Sequence, residues 1–266
     1  MADTIVITGA SGFLGKNIYP YISKKYKIEA YTRKKNLKNY KYIENYKKIV
    51  SGKNKILIYL SQSNSGKNLN IKKELSLANI IAKKKWNYVI YISSYTVYLD
   101  SKFKIDEKGM LNLNSDYNNL KLKSEKIFLK TKNCVCLRIS NILGRNLNPG
   151  TLLSDIIAQV KNKKYKNIIL KNQNTIRDFL FIKDFCNLLL MCIKKKPKGI
   201  FNIGSGNGMS AKILASKVLS IMKKKKNIKT KENFFSKKVL DTSKIHNKLH
   251  WKPSVNINQE LKKICK

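Results

Sequence analysis

The sequence contains only two histidines, His246 and His250, and both stand near its end. A histidine acid/base or a metal site built from several histidines is therefore not expected. The five cysteines are an odd number in a chain of 266 residues, and no pair has the spacing of zinc ligands. Cys134 and Cys136 alternate along a predicted strand, which indicates two small core residues. We expect no bound metal.

Long apolar runs are also missing. No segment approaches the roughly 20 apolar residues that a membrane-spanning helix needs, and the first strand begins at residue 4 with no signal-peptide pattern before it. We therefore expect a cytoplasmic protein with no membrane partner. Hydrophobic residues make up 42% of the chain, which is enough for one sizeable core with a smaller lobe.

Arginine is scarce although the chain is strongly basic. Lys and Arg number 56 against 15 Asp and Glu, a net charge of +41, yet only four of these cations are arginines: Arg33, Arg138, Arg145 and Arg177. Surfaces that read nucleic acid use the forked donors of Arg, whereas lysines mixed with Asn and Ile are what A/T-rich codons produce. The composition disfavours nucleic-acid binding, and it indicates that each remaining Arg has a task that Lys cannot perform.

Apolar runs alternate with stretches of helical spacing in the first half of the chain. Strands are predicted at 4–8, 28–32, 56–60, 88–92 and 135–139, and helices at about 16–24, 70–84 and 117–131. This alternation predicts an α/β fold with a Rossmann-type doubly wound parallel sheet. The pattern loosens after Asn141, which predicts a smaller, interwoven substrate-binding lobe. We assign residues 1–140 and about 175–204 to the nucleotide-binding domain, and about 141–174 and 205–266 to the lobe.

Three glycines with G-x-x-G-x-x-G spacing separate the first strand from the first helix. Dinucleotide binding requires a tight turn, close approach of the backbone to pyrophosphate, and a helix N-terminus aimed at negative charge. No GK[ST] follows the glycines, which disfavours an ATPase loop. The predicted cofactor-binding residues of this loop are Gly9, Ser11, Gly12, Phe13, Leu14 and Gly15.

The second strand ends in Thr32-Arg33-Lys34. An acidic residue at this point would bind the ribose 2′-hydroxyl of NAD, and none is present. Arg33 can instead form a forked contact with a 2′-phosphate, which favours NADP over NAD. The alternative is that Arg33 is one more surface cation.

Tyr117 and Lys121 are four residues apart and therefore share one face of a predicted helix. The pKa of tyrosine, about 10, must fall before its phenol can move a proton near neutrality, and a neighbouring ammonium favours the phenolate. With 14 tyrosines and so many lysines, such a pair also arises by chance. It needs a partner hydroxyl, and Ser93-Ser94, at the end of the predicted strand 88–92, offers one.

The chain resembles the extended short-chain dehydrogenase/reductase family, which comprises sugar-nucleotide epimerases, dehydratases and reductases. The resemblance covers nearly the whole chain in the order found in the family. Its matching stretches are residues 8–15, 92–98, 137–141, 177–179, 201–204 and 251–253, together with Tyr117 and Lys121.

The resemblance implies catalytic roles for three residues. Tyr117 would be the acid/base, Lys121 would lower its pKa and hold the nicotinamide ribose, and Ser94 rather than Ser93 would bind the sugar oxygen.

It also implies binding roles for three more. Ser61 would lie beside the cofactor, whereas Asn141 and Arg177 would contact the diphosphate of a nucleotide-diphosphate sugar. For Arg138 a structural ion pair is at least as strong an expectation. The helices at about 70–84 and 117–131 would pack against their copies in a homodimer.

The implied activity is that of an NAD(P)-dependent nucleotide-sugar epimerase or ketoreductase with hydride transfer at a sugar carbon. Tyr95 and Thr96 stand where the 4,6-dehydratases of the family carry an Asp-Glu pair, which disfavours dehydration. The alternative is a non-catalytic cofactor-binding module, or a basic nucleic-acid-binding module, on the same fold.

Overall fold

Strands and helices alternate through most of the computed structural model, which describes residues 3–62 and 69–265. The strands are β1 (Thr4–Thr8), β2 (Ile28–Thr32), β3 (Lys41–Tyr42), β4 (Gly52–Tyr59), β5 (Trp86–Ser94), β6 (Cys134–Ile139), β7 (Asn141–Leu143), β8 (Asn167–Asn172), β9 (Ile176–Phe181), β10 (Gly199–Ile203), β11 (Gly208–Ser210), β12 (Asn227–Glu232) and β13 (Lys237–Lys238). The α-helices are α1 (Phe13–Ile22), α2 (Ile71–Ala82), α3 (Asp116–Leu129), α4 (Leu152–Lys161), α5 (Ile182–Lys195), α6 (Ala211–Ile221), α7 (Ser243–Leu249) and α8 (Ile257–Cys265).

The main sheet has seven parallel strands in the order β10-β6-β5-β4-β1-β2-β3. The chain builds outward from β1 to β3, then returns to β4 on the other side of β1 and builds towards β10. The direction of winding therefore reverses between β1 and β4. Crevices for ligands form at such a reversal, outside the carboxyl ends of the strands. The predicted doubly wound parallel sheet is confirmed.

Apolar side chains cover both faces of the main sheet. All residues of β1 and β6 are buried, and so are the second half of β4 and residues 88–94 of β5. Helices α1 and α5 pack against each other, as do α2 and α3. A sheet covered on both faces needs continuous apolar strands rather than alternating ones, which is the pattern in Ile56, Leu57 and Ile58 of β4.

A smaller sheet and a separate core lie in the second half of the chain. Strand β9 pairs with β7, β11 and β13, and β8 pairs with β12. Helices α4, α6 and α8 surround a core that includes Ile156, Leu214 and Leu261. The segment 175–204, assigned from the sequence to the nucleotide-binding domain, thus contributes β9 to the smaller sheet and β10 to the larger one. Ile245 and Trp251 pack in the core of the large sheet.

The cysteines of the described chain are buried thiols, and Cys134 and Cys136 lie inside β6. No group of three or more His, Cys, Asp and Glu residues arranged to hold a metal ion occurs within residues 3–62 and 69–265. In the same residues, every helix is too short or too polar to span a membrane.

Candidate functional site

A cavity of about 750 Å³ opens at the carboxyl ends of β1, β2, β4, β5 and β6. This volume is typical of ligand-binding cavities. Its wall is formed by the glycine loop, the residues that follow these strands, and the first turns of α3 and α4. All the cofactor-binding residues predicted from the sequence line it: Gly9, Ser11, Gly12, Phe13, Leu14, Gly15, Arg33, Ser61 and Lys121.

Two of the loop glycines occupy positions that no other residue fits. Gly9 has a φ of +67°, and a Cβ there would lie 3.2 Å from backbone atoms of Leu60 and Ser61. A Cβ on Gly15 would lie 2.5 Å from the backbone of Ala10. The first glycine therefore makes the turn, and the third lets α1 pack directly against the loop.

The N-terminus of α1 faces this cavity without a side-chain cap. Its N-cap residue, Gly12, is exposed, and the first turn of the helix contains no acidic residue. Backbone N–H groups at a helix start need partners, and an anionic group satisfies both them and the helix dipole. The loop therefore fits the pyrophosphate of a dinucleotide.

Tyr46 supports the glycine loop, a role that no sequence motif indicated. Its hydroxyl accepts the N–H of Gly9 at 3.1 Å. The Arg33 guanidinium lies over its ring, 5.7 Å from the centroid. Burial raises the pKa of Tyr46, so that the phenol stays neutral. Arg33 is thereby held at the cavity wall beside Lys34.

The structure brings together Ser94, Tyr117 and Lys121. Ser94 ends β5, and its Oγ accepts the backbone N–H of Thr96 at 3.2 Å. Tyr117 lies in the first turn of α3, and the Ser94 hydroxyl is close enough to lower the pKa of its phenol. Lys121 follows one turn later, with its Nζ 5.6 Å from the centroid of the Tyr117 ring. All three residues line the cavity.

Burial dominates the proton affinities of this trio. It raises the pKa of Tyr117, and the nearby Ser94 hydroxyl acts in the opposite direction. It lowers the pKa of Lys121 to about 8, although Glu125 and Glu74 favour the charged amine. The sequence analysis expected Lys121 to lower the pKa of Tyr117, but in the protein alone this pKa is raised. A ligand that binds beside the phenol must therefore supply a further positive charge.

The low pKa of Lys121 predicts that this residue destabilises the ligand-free protein at neutral pH. Between about pH 8 and 10.5 the unfolded chain binds more protons at this site than the folded one, so the Lys121 contribution to stability rises with pH. Because Met carries no charge, the stability of Lys121→Met relative to the wild type is expected to be about 3 kcal/mol more favourable at pH 7 than above pH 10. Urea unfolding of both proteins from pH 7 to pH 10 should show this gap closing. A gap that does not change with pH would contradict the prediction.

Ser93 and Arg138 form a buried structural network with Glu125. The Glu125 carboxylate accepts Nε of Arg138 at 3.0 Å and Nη2 at 2.7 Å, and it also accepts the Ser93 hydroxyl at 2.5 Å. Both ion-pair partners are almost fully buried. Arg138 is thus a structural residue, and Ser94 is left as the hydroxyl that meets Tyr117.

Asn141 and Arg177 are placed differently from each other. Asn141 lines the cavity, and its Nδ2 donates to the Tyr95 hydroxyl at 2.6 Å. Arg177 is not among the residues that line the cavity. Its Nη2 donates to Ser236 Oγ at 2.6 Å, and its Nη1 lies 3.8 Å from Asp100. Contact of Arg177 with a substrate therefore stays a prediction.

Gln62 and Ser140 are polar residues of the cavity wall that sequence reasoning did not find. Gln62 donates to Ser124 Oγ and accepts the Tyr91 hydroxyl, each at 2.6 Å, and so joins the end of β4 to α3. Ser140 Oγ is buried with no hydrogen-bond partner among the described residues. A buried hydroxyl without a partner is costly unless a ligand supplies one.

Comparison with known proteins relates the chain to enzymes of nucleotide sugars. The model of the NAD dependent epimerase/dehydratase family matches residues 59–204, just over half of the chain. The human protein named dTDP-D-glucose 4,6-dehydratase is 27% identical over an alignment of 194 positions, which covers 65% of this chain and 54% of that protein. The match thus spans about half the length of this curated relative.

Two solved structures share the fold over almost their whole length. UDP-N-acetylglucosamine 4-epimerase from Bacillus cereus has a TM-score of 0.81 at 20% identity, covering 99% of this chain and 98% of that one. RMD from Pseudomonas aeruginosa, complexed with NADPH, has a TM-score of 0.79 at 17% identity, with coverage of 99% and 98%. At such identities the likeness establishes the fold alone.

Proposed function

Because the chain belongs to the NAD-dependent epimerase/dehydratase family, we propose that it is an NAD(P)-dependent enzyme that transfers a hydride at a carbon of a nucleotide-activated sugar. The proposed reaction is an epimerisation or a ketone reduction. The observation that carries the proposal is the meeting of Ser94, Tyr117 and Lys121 at the wall of the cavity onto which the glycine loop opens. An alcohol and a phenol that line the same cavity wall can both reach one sugar oxygen, which is what a proton transfer at that oxygen requires.

Each residue of the trio has a distinct task in this reaction. Tyr117 takes the proton from the sugar hydroxyl that becomes a ketone, or returns it in the reverse direction. Ser94 hydrogen-bonds the same oxygen and holds it against the phenol. Lys121, whose Nζ donates to the Ile92 carbonyl at 2.9 Å, is fixed behind the ring and places its charge near the phenol. The dinucleotide, when bound, supplies the hydride acceptor or donor.

The residues of the cavity fit a dinucleotide. The uncapped start of α1 suits its pyrophosphate, and Ser61 and Lys121 line the route from the loop to Tyr117. Among the described residues that line the cavity, none is Asp or Glu, and Arg33 and Lys34 stand at the end of β2. This charge distribution supports a cofactor with a 2′-phosphate.

Replacing Arg33 tests the preference for NADP. Arg33→Gln is expected to weaken NADP binding by about 10-fold or more, the usual effect of removing a charged hydrogen bond, and to leave NAD binding nearly unchanged. Titration calorimetry with both cofactors measures the two constants. Lys38→Gln, which removes an exposed lysine outside the cavity, is the matched control. Equal losses for NADP and NAD, or none, would contradict the assignment.

Thr96 and Tyr95 bear on which reaction of the family the chain performs. Elimination of water calls for an acid beside the reacting sugar, and neither residue carries a carboxyl group. We therefore propose that the chain does not dehydrate its substrate, although its curated relative is named a dehydratase.

A direct assay tests the proposed function. Purified protein is incubated with NAD or NADPH and with UDP-N-acetylglucosamine, dTDP-glucose or their 4-keto derivatives, and the products are identified by mass spectrometry and NMR. An epimer formed without net consumption of cofactor supports an epimerase, and consumption of NADPH supports a reductase. Formation of a 4-keto-6-deoxy sugar would contradict the exclusion of dehydration. Failure to convert any nucleotide sugar would contradict the proposal as a whole.

A further inference from the structure

We propose that Tyr95 is a further substrate-binding residue, which donates its hydroxyl proton to an oxygen of the sugar, and that Asn141 is a positioning residue that acts through it. The inference rests on the proposed function and deepens it, because it names a second group that binds the sugar next to Ser94.

Tyr95 stands at the right place to contact the sugar. It directly follows Ser94, lies in the short 3₁₀ turn Tyr95–Val97, and lines the same cavity as Tyr117. A ligand oxygen that reaches Ser94 therefore brings its neighbouring sugar substituents towards the Tyr95 ring. The residue is 6% exposed, so a contact made there is shielded from water and contributes more than one on the surface.

The hydroxyl of Tyr95 has an unused donor. It accepts Nδ2 of Asn141 at 2.6 Å, and no residue in the described ranges accepts its proton. A tyrosine hydroxyl can donate one hydrogen bond while accepting another. Because a buried donor without an acceptor is unfavourable, the site is completed by an oxygen that a ligand brings.

Asn141 has no N–H left for a substrate. Its Nδ2 carries two hydrogens, of which one points to Tyr95 and the other to the Asp178 carbonyl, 3.3 Å away. The resemblance implied a direct contact of Asn141 with the nucleotide diphosphate, and the proposed relay is an alternative to that contact. In the relay the amide holds the phenol oxygen, and the phenol donates its proton to the ligand.

The surroundings keep Tyr95 in its donating form. Burial raises the pKa of its phenol, and so do the carboxylates of Asp178 and Asp100, whereas Arg177 and the hydrogen bond from Asn141 act in the opposite direction. The net direction is upward, so the phenol holds its proton at neutral pH and remains a donor. It is not a second base competing with Tyr117.

Removing the Tyr95 hydroxyl is the first test. Tyr95→Phe keeps the ring and is expected to raise KM for the nucleotide sugar about 10-fold or more, with a smaller change in kcat and with unchanged cofactor affinity. Tyr165→Phe, which removes an exposed hydroxyl outside the cavity, is the matched control.

A double-mutant cycle tests the relay. If Asn141 acts through Tyr95, Asn141→Leu raises KM in the wild-type background and has little further effect in Tyr95→Phe. If Asn141 contacts the substrate itself, the two effects add, and the relay is wrong. Recovery of KM by Asn141→Gln, whose amide can still donate, supports positioning.

A substrate series locates the sugar oxygen that Tyr95 binds. Analogues that each lack one sugar hydroxyl are compared, and one of them is expected to lose turnover efficiency with the wild type but not with Tyr95→Phe. Equal profiles for the two proteins, with equal KM values, would overturn the inference alone. A wild-type protein that converts no nucleotide sugar would overturn the proposed function and this inference with it.

Discussion

Replacement of Tyr117 by phenylalanine is expected to lower turnover by about 10²- to 10⁴-fold, the range that general acid–base catalysis contributes. The variant keeps the ring that packs beside Lys121 and removes only the hydroxyl that meets Ser94. Because the role proposed for Tyr117 is proton transfer rather than binding of the dinucleotide pyrophosphate, cofactor affinity should remain within about 2-fold of the wild type. Steady-state kinetics and titration calorimetry measure the two effects.

Two controls make this result specific. Tyr165→Phe removes an exposed hydroxyl and should leave turnover unchanged. Ser94→Ala removes the partner hydroxyl and should also lower turnover strongly, while Ser93→Ala, whose hydroxyl bonds Glu125, should act mainly on stability. Full activity in Tyr117→Phe would refute the assigned acid/base.

Loss of the buried ion pair is expected to have the largest effect on stability. Arg138→Met leaves the Glu125 carboxylate buried without its forked partner and should lower the free energy of unfolding by about 3–5 kcal/mol. The same substitution removes hydrogen bonds to the Tyr98 hydroxyl and the Glu107 carbonyl. Urea unfolding at neutral pH measures the loss.

A second variant separates the unpaired charge from the loss of packing. In Arg138→Met with Glu125→Leu, neither partner of this ion pair remains as a buried charge, so stability should partly return. If the double variant is instead clearly less stable than Arg138→Met, the unpaired Glu125 carboxylate is not the cause of the stability loss in Arg138→Met. A loss below about 1 kcal/mol in the single variant, the value of an exposed pair, would also contradict the account.

The sequence predicted the main sheet well because its strands are buried on both faces. Such strands form unbroken apolar runs, as in β1, whose bounds are those that were expected. The less buried β2 also has its expected bounds. Helices α2 and α3 begin and end within about two residues of their predicted limits. Helix α1 begins at Phe13 instead of Lys16, because the third glycine lies inside the helix rather than in the loop.

The smaller sheet could not be predicted from local pattern. Strands β7, β11 and β13 contain two or three residues each, too few to show a period. Their pairing depends on contacts between distant segments, such as Asn141 with Phe179 and Lys237 with Ile176. Helix α5, Ile182–Lys195, was also not predicted, although its apolar face packs on α1.

The candidate site was predicted in its residues but not in its electrostatics. Motif order placed Ser94, Tyr117 and Lys121 in one site, and the structure brings them together. Spacing alone carried no information on burial, which sets the direction of both pKa shifts. Nor did it reveal that Asn141 donates to Tyr95, or that Arg177 is held by Asp100 and Ser236 away from the cavity wall.

The most direct test of the proposed hydride transfer is whether a nucleotide sugar reduces the bound cofactor. Protein loaded with NAD or NADP is mixed with a nucleotide sugar in a stopped-flow instrument, and the absorbance band of the reduced nicotinamide is followed. The account predicts that this band appears with the wild type and is lost in Tyr117→Phe at equal cofactor occupancy. A band that forms at the same rate in both proteins would contradict it.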